Sequence, residues 1–228
     1  AEAVEVVAAR RQGALPPPLI LALRQLQQPD GSFSSLPGDG SECDLRFAYC
    51  ACAISSMLQN WGGVDRPSLL AYFRACQSYD GAFGLIPGQE SHGGSTYCAV
   101  ASLYLMGELD SFFDGQSRLR LVKWCLDRQV GGFQGRPNKQ ADTCYSFWVG
   151  ATLKLLGEFD LVEPGPVTAF VATCQGWGGF SKIPDAPPDI LHSFYSVCWL
   201  SLTGFAGTQP LDCSLGICSN SLHHINAR

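Results

Sequence analysis

Charge is scarce in this chain. Only 15% of its 228 residues are charged, against 46% hydrophobic, and the formal net charge is −5. A basic footprint is the usual mark of a nucleic-acid binder, so that class is excluded. Long apolar runs are missing too: no window approaches the ~18–20 uninterrupted apolar residues of a membrane span. The N-terminal AEAVEVVAARRQGALPPP has early acidic residues and no long apolar stretch, unlike a secretory leader. An initiator Met is absent, which points to a fragment or a processed chain. No CxxC pair occurs, although there are 11 Cys. Their odd number, and their place inside apolar runs such as FAYCACAISSML and YSVCWLSL, fit free thiols in the reducing cytoplasm better than a disulfide scaffold. Roughly nine or ten of them are expected to be small apolar core residues. His is rare, with 4 in all, and two of these, His223 and His224, lie in a polar tail.

What is present repeats. LQQPDGSF ends at Phe33, CQSYDGAF at Phe83, DRQVGGF at Phe133 and CQGWGGF at Phe180. A period of about 50 residues is the mark of stacked supersecondary units. An apolar segment of helical period precedes each phrase: LILALRQLQ, LLAYFRACQ, RLVKWCLDRQ and VTAFVATCQ. A polar loop and a second, more apolar segment follow: DLRFAYCACAISSMLQ, STYCAVASLYLM, DTCYSFWVGATLKLL and DILHSFYSVCWLSL. The Gly pair suits a helix stop, with the Phe tucked back under the turn. No strand-like alternation of useful length occurs. The expected fold is therefore all-α, four helical hairpins stacked as an α/α toroid or an open solenoid. The second helices, apolar nearly all round, belong inside. Four hairpins are few for a closed ring.

Polar residues bunch at equivalent places, in the loop after the Phe or at the start of the inner helix. They are Asp44 and Arg46, then His92, then Arg136, Lys139, Asp142 and Cys144, then Lys182, Asp189 and His192. In a ring these face one mouth of one cavity. Carboxylate, thiolate and imidazole are a zinc donor set, and a catalytic zinc keeps three protein ligands and an open position. Taken by themselves, Asp142, Cys144 and His192 are equally an N-cap, a buried thiol and a solvated imidazole. Arg136, Lys139, His92 and Lys182 could hold a diphosphate, with Gly93 and Gly94 letting backbone N–H groups approach; otherwise they are scattered charges on a solvated loop. Tyr49, Tyr97, Tyr145, Phe147, Trp148, Phe194 and Tyr195 lie on the inner helices, as core or as the wall of an apolar cavity.

The segments GSFSSLPGDGSECDLRFAYCACAISSMLQNW, CQSYDGAFGLIPGQESHGGSTYC, GGFQGRPNKQADTCYSFWVGATLKLLG and GGFSKIPDAPPDILHSFY resemble the β subunits of protein prenyltransferases, and among them the geranylgeranyltransferases of type I. The resemblance covers residues 20–204, leaving 1–19 unmatched and 205–228 as a C-terminal tail. It implies an α/α toroid, incomplete at its N-terminal side. It also implies transfer of a geranylgeranyl group from its diphosphate to the Cys of a C-terminal CaaX sequence, as in small GTPases, with X often Leu. Asp142, Cys144 and His192 are then the zinc ligands, and His92, Arg136, Lys139 and Tyr145 bind the diphosphate. Arg46, Tyr49, Cys98 and Trp148 line the prenyl and peptide cavity. Lys182 stands where farnesyltransferase-like relatives carry a Mg²⁺-binding Asp, so Mg²⁺ is not required. Leu191 and Ser95 replace Tyr residues of those relatives, which favours a pocket for a terminal Leu. The partner implied is a helical α subunit that supplies a catalytic Lys, so the chain alone is inactive. Two other outcomes stay open: a truncated subunit that binds the α subunit or isoprenoid without turnover, and farnesyl specificity.

Overall fold

The structure, a computed structural model, describes residues 17–38 and 40–226. Of the segment expected to be unmatched, residues 1–16 lie outside the described residues. Four helical hairpins follow one another: α1 (Pro17–Leu26) with α2 (Leu45–Leu58), α3 (Arg66–Cys76) with α4 (Gly93–Met106), then, past the single turn α5 (Leu109–Phe112), α6 (Gly115–Leu126) with α7 (Thr143–Leu155), and α8 (Pro164–Thr173) with α9 (Ile190–Leu202). A last helix, α10, spans Ser219–Asn226. The first helix of each pair lies outside and the second inside. The inner helices pack in series, α2 on α4, α4 on α7 and α7 on α9.

The repeated phrase has one structure. The Gly at its centre takes φ of +91°, +92°, +94° and +91° at Gly31, Gly81, Gly131 and Gly178, a left-handed conformation that a Cβ disfavours. The chain reverses there, and the Phe pairs back with the Gln at the end of the outer helix: Gln27 with Phe33, Gln77 with Phe83, Gln129 with Phe133 and Gln175 with Phe180. The last two pairs form two-residue ribbons, β1 (Gln129–Val130) with β2 (Gly132–Phe133) and β3 (Gln175–Gly176) with β4 (Gly179–Phe180). Elements that short leave no alternation to read, which is why the sequence shows no strands. Phe33, Phe83 and Phe133 are fully buried between the layers with Leu69, Phe73, Leu103, Leu121, Leu153 and Trp199.

Neighbouring repeats are clasped by the backbone. The first N–H of an inner helix donates to the carbonyl two residues past the next repeat's Phe: Leu45 to Leu85 (3.2 Å), Gly93 to Gly135 (2.7 Å) and Thr143 to Lys182 (3.0 Å). Unpaired N–H groups at a helix start need such acceptors, and these bonds set each polar loop against the preceding inner helix.

Two expectations need correction. The inner layer is not buried throughout: on α9, Ile190 (91% exposed), Phe194 (48%) and Val197 (50%) share a free face, because among the described residues no further helix packs on that side. The cysteines are less uniformly core than expected. Cys52, Cys76, Cys125, Cys144, Cys174 and Cys198 are buried, Cys43, Cys98 and Cys213 are half-buried, and Cys50 and Cys218 are exposed. Cys50 lines a cavity and Cys218 lies on a surface ribbon, where an apolar run says nothing about burial.

Candidate metal centre and its cavity

All four inner helices start at the same end of the molecule, and the residue that caps each one stands at the mouth. Asp44 accepts from the Arg46 N–H (2.8 Å), His92 Nδ1 from the Gly94 N–H (3.1 Å), Asp142 from the Cys144 N–H (3.0 Å) and Asp189 from the His192 N–H (2.9 Å). Short polar side chains cap helices well, so the requirement to start a helix places chemistry at the rim.

Asp142, Cys144 and His192 converge across the α7–α9 contact. One ligand atom from each lies within 4.8 Å of the others, and His192 Nε2 is 3.4 Å from Asp142 Oδ1. The set O, S and N suits zinc, whose bonds of about 2.0–2.3 Å need donors that close. Asp142 and Cys144 are buried. Burial, with the Asp142 carboxylate beside it, pushes the Cys144 thiol well above its usual range; a bound cation reverses that preference and favours the thiolate. The Asp189 carboxylate sits 2.6 Å from His192 Nδ1. It can accept a hydrogen bond from Nδ1–H and so present Nε2 as the metal-binding atom, the usual support of a metal-binding imidazole. Sequence reasoning gave Asp189 no role beyond its place at the rim; its spacing to His192 was the available signal.

Lys182 Nζ lies 3.6 Å from Asp142 Oδ2. Its loop is held by the clasp to Thr143 and by the Thr143 hydroxyl, which donates to the Ser181 carbonyl (2.8 Å). Across the mouth, Arg136 pairs with Glu90 (3.0 Å), Arg46 pairs with Asp44 (2.6 Å) and also with Glu42, and Lys139 is exposed. His92 Nε2 is 2.8 Å from the Tyr145 hydroxyl. Since Nδ1 accepts from Gly94, the neutral ring carries its proton on Nε2 and donates to Tyr145. Burial, and next the nearby Arg136, lower the His92 pKa and keep the ring neutral. Tyr145 therefore has its own hydroxyl proton free for another acceptor. Gly135 is required at its place, because a Cβ there would collide with the Tyr145 ring.

Below the rim lies a cavity of about 1170 Å³. It brings together most of the expected residues: His92, Arg136, Lys139, Asp142, Tyr145 and Lys182 at the rim, and Arg46, Tyr49, Ser95, Cys98 and Trp148 in the wall. Tyr97 and Tyr195 line it as well. Ser95 is buried, its hydroxyl donating to the Phe83 carbonyl (2.8 Å). Leu191 is not among the lining residues and is half exposed. It precedes His192 by one position, roughly 100° round the helix, so when His192 turns inward Leu191 turns away. Phe194 likewise points out, and Phe147 packs in a buried cluster with Tyr97, Ala101, Ala151 and Cys198.

These features define a helical-hairpin toroid whose mouth joins a three-donor metal site to cations above an aromatic cavity. Residues 17–217 match the Prenyltransferase alpha-alpha toroid domain, and the chain belongs to that family. It is 49% identical over 209 residues to the geranylgeranyl transferase type-1 subunit beta of Arabidopsis thaliana, covering 87% of this chain and 56% of the relative. The Dictyostelium discoideum protein of the same name is 41% identical over 196 residues, covering 85% and 55%. The structure resembles that of Candida albicans protein geranylgeranyltransferase-I complexed with GGPP, with a TM-score of 0.79 and 27% identity over 90% of this chain and 65% of that one. The chain thus spans little more than half the length of these curated relatives. Among the described residues, no helix is long and apolar enough to cross a membrane.

Proposed function

We propose that this chain is the β subunit of a zinc-dependent protein geranylgeranyltransferase type I, cytoplasmic and active only with an α subunit. The observation that carries the reading is the convergence of Asp142, Cys144 and His192 within 4.8 Å, beside Lys182 and above an aromatic cavity. The names of the relatives point the same way. The reaction forms a thioether bond between the Cys sulfur of a CaaX sequence and C1 of the prenyl chain, and breaks the C1–O bond so that diphosphate leaves.

Zinc held by Asp142, Cys144 and His192 would supply thiol activation, since a coordinated thiol gives up its proton near neutral pH. The rest falls to the chain's own groups. Arg136, Lys139 and Lys182 neutralise the charge that grows on the departing diphosphate. Tyr145, its oxygen already accepting from His92, donates its hydroxyl proton to the same oxygens; such preorganised donors act where charge develops. An ammonium at position 182 takes the place of a divalent cation, so Mg²⁺ is not needed. Tyr49, Cys98, Trp148 and Tyr195 shield the hydrocarbon from water, and Arg46 borders the same space. The test is co-expression with an α subunit, followed by prenyl transfer to a peptide ending in CaaX with Leu last, with and without Mg²⁺. Transfer without Mg²⁺ is expected; no transfer by a formed complex refutes the reading.

A second reading has support of its own. Helix α9 keeps a free apolar face. Such a face fits a β-like subunit that binds the α subunit or isoprenoid without turnover. Complex formation without transfer in the same assay would select it.

A further inference from the structure

Two buried hydroxyls stand beside the metal centre without lining the cavity, those of Thr143 and Ser181. Both are committed to backbone. Thr143 Oγ1 donates to the Ser181 carbonyl (2.8 Å), and the Thr143 N–H donates to the Lys182 carbonyl (3.0 Å). Ser181 Oγ donates to the Ile183 carbonyl (2.6 Å) and lies 3.1 Å from the Cys174 carbonyl, which also accepts from the Ser181 N–H (2.9 Å). Three successive carbonyls, those of Ser181, Lys182 and Ile183, are therefore tied.

The other inner helices start differently. Their first residues are Leu45, Gly93 and Ile190, none with a hydroxyl, and the clasps at Leu45 and Gly93 come from the backbone N–H. A hydroxyl buried in such a seat needs a partner, whereas an apolar side chain does not. Thr143 also stands between two metal donors, Asp142 and Cys144. One residue thus joins those donors to the backbone that carries Lys182. The ammonium itself is loosely held. Its Nζ is 3.6 Å from Asp142 Oδ2, too long for a hydrogen bond, and its side chain is 59% exposed. A four-carbon stem is flexible, so the place of its root decides which points the charge can reach.

We propose that Thr143 is a positioning residue: its hydroxyl fixes the root of Lys182 against the metal centre, so that the ammonium meets the leaving diphosphate at a set distance from the attacking sulfur. Ser181 locks the same loop from its other side. The role rests on the function proposed above. Charge on the leaving group grows as the C1–O bond breaks, so the effect falls on kcat more than on binding.

The test uses the complex with an α subunit and a CaaX peptide ending in Leu. Thr143→Val keeps the volume and removes the hydroxyl, and Thr143→Ser keeps the hydroxyl. Lys182→Ala, which deletes a donor outright, should lower kcat about a hundredfold. Thr143→Val, which only frees that donor, should lower it about tenfold, with zinc content and the KM for peptide unchanged. Thr143→Ser should keep most of the rate. In a Lys182→Ala background Thr143→Val should add no further loss, because the group it positions is gone. Ser181→Ala should follow the same pattern, and it carries the test if circular dichroism shows Thr143→Val unfolded. An unchanged kcat in the folded variant, or a loss that persists without the Lys182 side chain, overturns the positioning role alone. No transfer by the unaltered complex overturns the functional reading and the role with it.

Discussion

Asp142 has two tasks that can be separated. Its carboxylate caps α7 through the Cys144 N–H (3.0 Å), and it faces His192 Nε2 at 3.4 Å as one of the three metal donors. Asp142→Asn keeps an acceptor for the cap and removes the charge a zinc ligand needs. Asp142→Ala removes both. In chelator, where only the cap matters, the Ala variant should lose about 1 kcal/mol, which lowers the melting temperature of a chain this size by about 2–4 °C. The Asn variant should stay within about a degree of the unaltered chain. The exposed Lys182 ammonium loses its partner in both, which adds little. With zinc the order changes: both variants should bind it more than about a hundredfold more weakly, beyond the typical cost of losing an outer support of a metal ligand. The assays are thermal melts in chelator and zinc competition against a colorimetric chelator. Wild-type zinc affinity in Asp142→Asn would refute the ligand assignment, and an unshifted melt of the Ala variant in chelator would refute the cap.

Other outcomes follow from the same geometry. Tyr145→Phe should slow prenyl transfer about a hundredfold with zinc content intact, and an unchanged rate would remove the hydroxyl from the reaction. Lys182→Asp should make transfer rise with added Mg²⁺, whereas a flat response would show that the ammonium does not face the diphosphate. Phe133→Ala, at a position 0% exposed, should cost about 3–5 kcal/mol; Phe180→Ala, at a half-buried one, should cost clearly less in urea unfolding, and equal costs would contradict the packing described.

The sequence was most informative where one requirement recurs in every repeat. Gly31, Gly81, Gly131 and Gly178 announce four turns because each needs positive φ, and the caps Asp44, His92, Asp142 and Asp189 mark four helix starts. Once the repeats are aligned, the meeting of Asp142 and Cys144 with His192 is a consequence of neighbouring caps sharing a rim. What stayed hidden depends on direction or on distance along the chain. Leu191 and Phe194 read as apolar residues of an inner helix, but α9 has a free side and both fall on it. Asp189 read as one more polar residue at the rim, and only the 2.6 Å contact to His192 Nδ1 shows it orienting the ring. The antiparallel ribbon that pairs Leu211–Asp212 with Ile217–Cys218 carries no periodicity, and its bond to Tyr49 joins positions 165 residues apart.

The clasp between repeats is made by backbone atoms, so the side chain at that position is under no architectural demand of its own. The three clasp carbonyls belong to Leu85, Gly135 and Lys182: a hydrocarbon, no side chain at all, and a cation. Only Gly135 is constrained, and by a neighbouring ring rather than by the clasp. The rim is thus a row of interchangeable seats around a fixed frame. A lineage can exchange a cation for a carboxylate or an apolar group at such a seat, altering what the mouth attracts, while the helices beneath keep their places.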